Sequence, residues 1–377
     1  MDSKKNVLIL YGSAGHGHEN AARAVDEACG ILDPSAKPCL ADALDYAEPF
    51  FASGYRKSYL FLIERLPWLW GFFYFLLDFR LSDALVRPVR RIVNFLFGKK
   101  LERLLVREQP SVIVCTHFFP LEVVGALKRQ GRIRSTVVVV VTDYLPHYFW
   151  VEKNADFYAV ALPETAEGLK IRGVPESKIR VLGIPIESKF ETRRSRAEAS
   201  AAVGVRGDIF TALVTSGGAG IGSGGRIVQS LLELGTSIQV LTVCGNNRAL
   251  SERLVPLEIS SAGRLKVFGF VKNMDVLMEA SDVVIGKSGG LTLTESLSKG
   301  KPMIILSPVP GQETRNADCV RQYGAGLVAS STAEALRHTE SVMKDASLLH
   351  RLSEAATGMA RPRAAYDLAR WVHSLKK

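Results

Sequence analysis

The sequence predicts an α/β protein built as two doubly wound parallel sheets. Three observations carry that reading. Short apolar, β-branched runs alternate with helix-forming stretches along most of the chain, the order that gives parallel sheets with crossover helices. Three glycine-rich turns follow such runs directly, at Gly12–Gly17, Ser216–Gly222 and Gly289-Gly290. The alternation breaks once, at Gly183-Ile184-Pro185-Ile186 and the charged run Glu191–Arg196, before a fresh set of strands begins. A chain of 377 residues has room for two domains of ordinary size. The boundary is placed at 190/191.

In the first half, MDSKKNVLIL reads as a first strand over Val7–Tyr11, because Tyr11–Gly15 breaks the apolar run too early for a signal peptide. The turn Gly12–His18 follows, then the helix-forming run Glu19–Val25. Its spacing is GxxGxG, not the dinucleotide fingerprint GxGxxG. Asp42 ends a second strand, as a ribose-binding acid would, so this region alone does not exclude a nicotinamide enzyme. His16 and His18 lie at a strand's carboxyl end. A histidine is the natural base for a hydroxyl nucleophile near neutral pH. His18, next to the helix start, is taken as that base, and His16 as loop support. Further strands are expected at Ser111–Cys115, Thr136–Val141, Phe157–Val160 and Ile179–Leu182, with helices at Leu121–Arg129 and Glu164–Ile171. The second of these runs, Thr136–Val141, ends in TDYLPHYFW. Asp143 and His147 could there orient an acceptor or hold the base, or be structural, and Trp150 offers an apolar wall.

The second half repeats the pattern. Strands are expected at Ile209–Thr215, Ile238–Cys244, Leu265–Phe268, Ser281–Lys287 and Met303–Leu306, and helices at Arg226–Leu234, Thr292–Ser298 and Arg363–Ser374. The stretch Ser281–Asn316 reads as strand, glycine turn, helix, strand and polar loop. Open α/β sheets bind ligands at the carboxyl ends of their strands. The N–H groups at a helix start favour an anion such as a phosphate. The loop residues Gln312, Glu313 and Asn316 suit sugar hydroxyls. A diphosphate-linked sugar would satisfy both halves, and an ordinary crossover explains the stretch equally well.

Residues 46–107 break the α/β rhythm. They hold Phe50, Phe51, Tyr55, Tyr59, Phe61, Trp68, Trp70, Phe72, Phe73, Tyr74, Phe75 and Phe79. The apolar run Leu66–Leu77 is too short to span a bilayer, which takes about 20 residues. Residues 80–107 carry eight basic residues against two acidic ones. Leu85, Val89, Ile92 and Leu96 share one helical face; Arg80, Arg87 and Arg91 share another, and Pro88 starts a second helix or kinks the first. Aromatic-rich sequence beside a basic amphipathic stretch suits an interfacial segment on anionic lipid. The alternative is a helical hairpin with a solvated basic face. Single-stranded nucleic acid also binds aromatics and basic residues, but no compact RNA-binding motif accompanies them, and no nucleic-acid partner is expected.

The composition is globular, with 47% hydrophobic and 23% charged residues, and the net charge of +10 favours anionic partners. Five scattered cysteines without a CxxC pair argue for a reducing compartment and against a zinc site.

Three motifs in order and with intact spacing, GSAGHGHENAARA, VTDYLPHYFW and GKSGGLTLTES…PVPGQETRNA, resemble glycosyltransferase family 28. The similarity is to the branch of monogalactosyldiacylglycerol synthases and processive diacylglycerol glucosyltransferases, and it covers nearly the whole chain. It implies the GT-B fold: two Rossmann-like domains facing a cleft, 1–190 binding acceptor and membrane, 191–360 binding a UDP-sugar, with 361–377 crossing back. It implies an inverting, metal-independent transfer to the 3-hydroxyl of diacylglycerol, with no cofactor. His18 matches the catalytic histidine, with Asp143 as its candidate catalytic partner. The implied donor set is Gly17, Ser216, Gly218, Ser288, Thr292 and Asn316, together with Phe270 and Val271 on the uracil side, Gly289 and Gly290 on the phosphate side, Glu295 on the ribose, and Gln312 and Glu313 on the sugar. A capping box with Thr292 is the alternative for Glu295. His147, Trp150, Trp68, Trp70, Arg87, Arg90 and Arg91 are the acceptor- or lipid-binding candidates. The expected partners are UDP-glucose or UDP-galactose, diacylglycerol and anionic lipids, at the cytoplasmic face of a membrane, peripherally. Two features depart from the family: Gly15-His16-Gly17 replaces three successive glycines, and Ser216–Gly222 matches only roughly. The competing readings are transfer to a polyprenyl-diphosphate-linked sugar, a non-catalytic nucleotide-sugar sensor, and, more distantly, a dehydrogenase.

Overall fold

The computed structural model describes residues 7–13, 15–34, 39–215 and 224–375. Ser216 and Gly218 lie outside them. The chain divides into two compact units, one of 1–188, 310–312 and 361–377 and the other of 189–309 and 313–360.

The first unit holds a six-stranded parallel sheet. Its strands are β1 (Val7–Tyr11), β2 (Cys39–Asp42), β3 (Val112–Cys115), β4 (Thr136–Val140), β5 (Phe157–Val160) and β6 (Ile179–Val181), in the order β2-β1-β3-β4-β5-β6. Its helices are α1 (His16–Leu32), α2 (Pro49–Arg65), α3 (Pro67–Leu76), α4 (Arg80–Phe97), α5 (Lys99–Glu108), α6 (Phe118–Arg129) and α7 (Pro163–Ile171). Alternation along the inner strands β1, β3, β4 and β5, buried on both faces, explains why their residues are apolar almost throughout. Leu8, Leu10, Ile113, Val137 and Val139 point into one core with Leu101, Leu105 and Leu121. Val7, Ile9, Val112, Val114, Val138 and Val140 point into the opposite core with Val25 of α1 and Leu368 and Val372 of the C-terminal helix. That helix packs on α1 and closes the face. Gly183, where the chain leaves β6, has φ +97°, and a Cβ there would meet Arg361 Cβ at 2.5 Å. Only glycine fits that approach.

The second unit holds the second six-stranded parallel sheet: β7 (Phe210–Thr215), β8 (Ile238–Val243), β9 (Leu265–Phe268), β10 (Val283–Gly286), β11 (Met303–Leu306) and β12 (Gly326–Ala329), in the order β12-β11-β10-β7-β8-β9. Its helices are α8 (Arg196–Val203), α9 (Gly224–Leu232), α10 (Arg248–Ser260), α11 (Met274–Glu279), α12 (Gly290–Ser298), α13 (Gln312–Gln322), α14 (Thr332–Lys344) and α15 (Ala346–Met359); the C-terminal helix is α16 (Ala364–Ser374). Residues 189–194 are tied down by a buried cation. Lys299 Nζ, fully buried, donates to Glu279 Oε1 at 2.9 Å, to the Lys189 carbonyl at 3.1 Å and to the Thr192 carbonyl. Arg194 adds an ion pair to Asp275 at 2.8 Å.

Both sheets are parallel and doubly wound, as expected. Two expectations change. Gln312, Glu313 and Asn316 lie on α13 rather than in a loop. Of the basic face of α4, Arg87 turns inwards, as does Arg90 beside it, while Arg80 stays exposed. Among the described residues no helix is long and apolar enough to cross a membrane.

Candidate active site

In the first unit, three strand ends converge on His18. Helix α1 opens at His16, with Gly15 as its extended N-cap. His18, itself half-buried, begins the stripe that continues through the fully buried Ala21, Ala22 and Val25. That spacing turns His18 inwards and leaves His16 exposed. Thr116 follows β3 directly, and Thr142 lies two residues beyond β4. His18 Nδ1 lies 2.7 Å from the Thr116 carbonyl oxygen and 3.0 Å from Thr142 Oγ1. A carbonyl oxygen only accepts, so Nδ1 carries the proton and the lone pair is on Nε2. Burial pulls the imidazole down to about 4, partly opposed by the bond to Thr116. The ring is therefore neutral at ordinary pH, the form a general base requires. Thr116 Oγ1 also donates to the His18 carbonyl at 2.9 Å, fixing the backbone.

The surroundings are aromatic. His117 meets His18 edge-on at 4.5 Å, and Trp150 lies 6.0 Å away. His117 Nδ1 accepts from Phe119 N at 3.0 Å, so its proton is on Nε2; burial and the neighbouring His18 hold it well below the usual value. Trp150 is buried and donates from Nε1 to Asp143 Oδ2 at 3.3 Å. His147 is a pin. Its Nδ1 accepts from Phe149 N at 3.1 Å and its Nε2 donates to the Tyr74 carbonyl at 2.9 Å.

Trp68 is exposed and Trp70 packs against Tyr59 at 5.4 Å. Arg87 pairs with Asp83 at 2.6 Å and donates to the Val151 carbonyl at 3.2 Å. Arg90 pairs with Glu122 and lies 4.7 Å above the Phe149 ring. Their side chains are only 14% and 18% exposed, so neither presents its charge on an open basic face. The Arg91 side chain lies outside the described residues.

In the second unit, β10 ends at Gly286. A Cβ there would meet Thr215 Oγ1 at 2.4 Å, so β7 and β10 approach closely at their carboxyl ends. Ser288 is fully buried; its Oγ donates to the Glu313 carbonyl at 2.7 Å, and Asn316 Nδ2 donates to the Ser288 carbonyl at 2.9 Å. The two bonds clamp the turn before α12 to the start of α13. Helix α12 begins at Gly290 with Gly289 as its N-cap, which has no side chain to occupy the first N–H groups. Such a terminus favours an anion. Because Thr292 is inside the helix, it is not the N-cap, and the capping-box alternative for Glu295 falls. Glu313 Oε2 accepts from Val309 N at 2.8 Å, and burial raises its carboxyl above the usual value, opposed by Lys287. Gln312 is partly exposed at the start of α13, and Gly17 lies in the first turn of α1. Phe270 is exposed beyond β9, and Val271 is partly exposed beside it.

Sequence reasoning missed Thr116, His117 and Thr142. The signal was available: each follows a strand's carboxyl end, the rule that picked out Asp143.

Two six-stranded parallel sheets, each with its candidate residues at the carboxyl ends of the strands, are the architecture of the GT-B class. Residues 18–186 match the family model for monogalactosyldiacylglycerol synthase, and residues 213–364 match that for the glycosyltransferase family 28 C-terminal domain. The chain belongs to glycosyltransferase family 28. It is 31% identical to the processive diacylglycerol beta-glucosyltransferase of Bacillus mycoides (strain KBAB4), covering 97% of this chain and 92% of the relative. The enzyme of that name from Bacillus subtilis (strain 168) is also 31% identical, over 94% of this chain and 91% of the relative. Among solved structures, MurG of Acinetobacter baumannii superposes with a TM-score of 0.63 at 15% identity, over 98% of this chain and 99% of that one. Anabaena HepE in complex with UDP-glucose gives 0.56 at 14% identity, over 98% and 99%. At these identities the likeness is one of fold.

Proposed function

We propose that the protein transfers a hexose from a UDP-sugar to diacylglycerol, or to a glycosyl-diacylglycerol, with inversion, at the cytoplasmic face of a membrane to which it binds peripherally. The reading rests first on the relatives' names and coverage. The observation that carries its chemistry is the neutral His18, with its proton committed to Thr116 and its lone pair on Nε2.

In this reading the first unit takes the acceptor and the second the donor. His18 removes the proton from the acceptor hydroxyl as that oxygen attacks the anomeric carbon. The bond from that carbon to the diphosphate breaks, and the charge passes to UDP. The Gly289-Gly290 turn and the N-terminus of α12 stabilise that charge through backbone N–H groups and the helix dipole. Glu295 takes the ribose, Gln312 and Glu313 the sugar hydroxyls, Phe270 and Val271 the uracil, and Asn316 holds Ser288 in place. Ser216 and Gly218 join the donor side through their glycine loop. Asp143 supports the acceptor side through Trp150. The sugar is glucose or galactose, which differ at one hydroxyl.

The test is transfer from radiolabelled UDP-glucose and UDP-galactose, in parallel, to diacylglycerol vesicles. A glycolipid product with one donor is expected. Hydrolysis or binding alone would overturn the reading. His18→Ala should lose about 10²- to 10⁴-fold in turnover while still binding UDP; near-normal turnover would remove His18 from its role.

A further inference from the structure

The turn that leads to His18 is tied down from the neighbouring strand. Asp42 ends β2 opposite Tyr11 of β1, and Ala43 N donates to the Tyr11 carbonyl at 2.8 Å. The Asp42 carboxylate is buried. Its Oδ1 accepts from Ser13 N at 3.2 Å and from Leu44 N at 2.9 Å, and its Oδ2 accepts from Arg56 Nη2 at 3.0 Å. Both oxygens are engaged inside the protein. The acid that stands where a ribose ligand would stand braces the turn instead.

Arg56, on α2, completes the brace. Its Nε donates to Ser13 Oγ at 2.9 Å while Nη2 holds Asp42, and Nη2 also reaches Asp45 Oδ1 at 3.1 Å. The guanidinium is planar and rigid, so it fixes the spacing of Ser13 and Asp42 as one unit. The turn needs such a brace, because Gly12, Gly15 and Gly17 leave the backbone between β1 and α1 wide conformational freedom. Gly12 also lies against the His117 ring, where a Cβ would come within 3.1 Å of Cγ and Nδ1. His117 in turn meets His18 edge-on. A shift of the turn at Ser13 therefore reaches His18 by two routes, along the chain and through His117.

We propose that Arg56 is a positioning residue for the transfer: through Ser13 and Asp42 it holds the turn so that the lone pair on His18 Nε2 faces the acceptor hydroxyl. The proposal rests on the transferase reading, which makes His18 the base. Two features separate this role from support of the fold. The Arg56 side chain is 37% exposed, so its removal opens no cavity in a core. Its partners lie at the carboxyl ends of β1 and β2, beside the two histidines, and not inside either apolar layer. Displacing a catalytic group by about 1 Å can cost about a hundredfold in rate. Asp42 keeps its bonds from Ser13 N and Leu44 N when Arg56 is removed, so the expected loss is smaller, about tenfold. Ser13→Ala cuts only the link from the guanidinium to the turn and leaves the pair of Arg56 with Asp42 in place.

The experiment measures transfer from UDP-glucose and UDP-galactose to dioctanoylglycerol, a short-chain soluble diacylglycerol. It compares the full chain with Arg56→Ala, Arg56→Lys, Ser13→Ala and the Arg56→Ala/Ser13→Ala double variant. Arg56→Ala should lower kcat about tenfold with the donor KM unchanged. Arg56→Lys, a single ammonium in place of the fork, should restore part of the rate. Ser13→Ala should lower kcat about threefold, and the double variant should be no slower than Arg56→Ala, because both changes cut the same link. Selective ¹⁵N labelling of the histidines gives a readout independent of activity. In the wild type His18 should hold its proton on Nδ1; in Arg56→Ala its two nitrogens should average towards a mixture of both tautomers. An unchanged kcat and an unchanged His18 tautomer in Arg56→Ala overturn the proposal. So does a double variant in which the two losses multiply, which would give Ser13 and Arg56 separate roles. If Arg56→Ala melts far below the wild type, the rate and tautomer of Ser13→Ala decide. If no form glycosylates dioctanoylglycerol but the tautomer responds to Arg56→Ala, the brace on His18 stands and the transferase reading fails.

Discussion

The pH dependence of turnover separates a base kept neutral by burial from an ordinary histidine. His18 gives its Nδ1 proton to the Thr116 carbonyl at 2.7 Å, and burial draws its pKa down to about 4. A base acts only when deprotonated, so kcat/KM for the acceptor follows the neutral fraction. At about pH 5, a group titrating at about 4 is roughly 90% neutral, whereas one at the usual value of about 6.5 is roughly 3% neutral. Activity at about pH 5 should therefore stay near its plateau, against a loss of about thirtyfold for an unperturbed histidine. The assay is transfer to dioctanoylglycerol, which removes the pH dependence of membrane attachment. The UDP-sugar must be saturating, because the Glu313 carboxyl, raised by burial, titrates on the donor side. Far-UV circular dichroism confirms that the chain is folded at each pH. An acid limb near 6.5 would refute the reasoning. Thr142→Val tests the other partner of Nδ1. Losing one neutral hydrogen bond, about 1 kcal/mol, should lower kcat about fivefold with the donor KM unchanged.

Stability should carry the same signature. His18 and His117 are both depressed in the fold, so as pH falls below about 6.5 the unfolded chain takes up protons that the native state refuses. Stability is therefore full above that value and declines towards about pH 4; calorimetric melting should show the decline, and His117→Asn should flatten it. A second stability prediction concerns Lys299, which is fully buried on Glu279 and two backbone carbonyls. Lys299→Met leaves the Glu279 carboxylate short of a cation and should cost about 3 kcal/mol in urea unfolding. Adding Glu279→Gln should recover part of that loss; a single variant as stable as the wild type would contradict the arrangement.

How much of this could be read in the sequence depends on how local each feature is. The strands were legible because a sheet buried on both faces needs continuous apolar runs, and Val112–Cys115 or Thr136–Val140 can be little else. β12 was missed: Gly326-Leu327-Val328-Ala329 is short and opens on glycine. The start of α13 was also missed, because Gln312 and Glu313 are polar and follow a Pro-Gly turn. The histidine was found, but not what holds it. Thr116 and Thr142 are ordinary residues whose importance comes from two strands ending side by side, which only the register supplies.

Glu295 and helix α4 show the same limit from opposite sides. The spacing T-x-x-E suggests a cap only if the helix starts at the threonine. The clamp from Ser288 to Glu313 and Asn316 of α13 holds the preceding turn, the helix starts at Gly290, and the motif loses that meaning. In α4 the period was read correctly: Leu85, Val89 and Ile92 do share a face. What no local pattern could supply was which face is inside. Exposed arginines are the default because burying a charge is costly unless it is paired. Here the pairing comes from Asp83 one turn away and from Glu122 on α6, a different helix. That tertiary partner reverses the default. Arg87 and Arg90, first taken among the membrane contacts, are what let the helix turn its apolar side outwards.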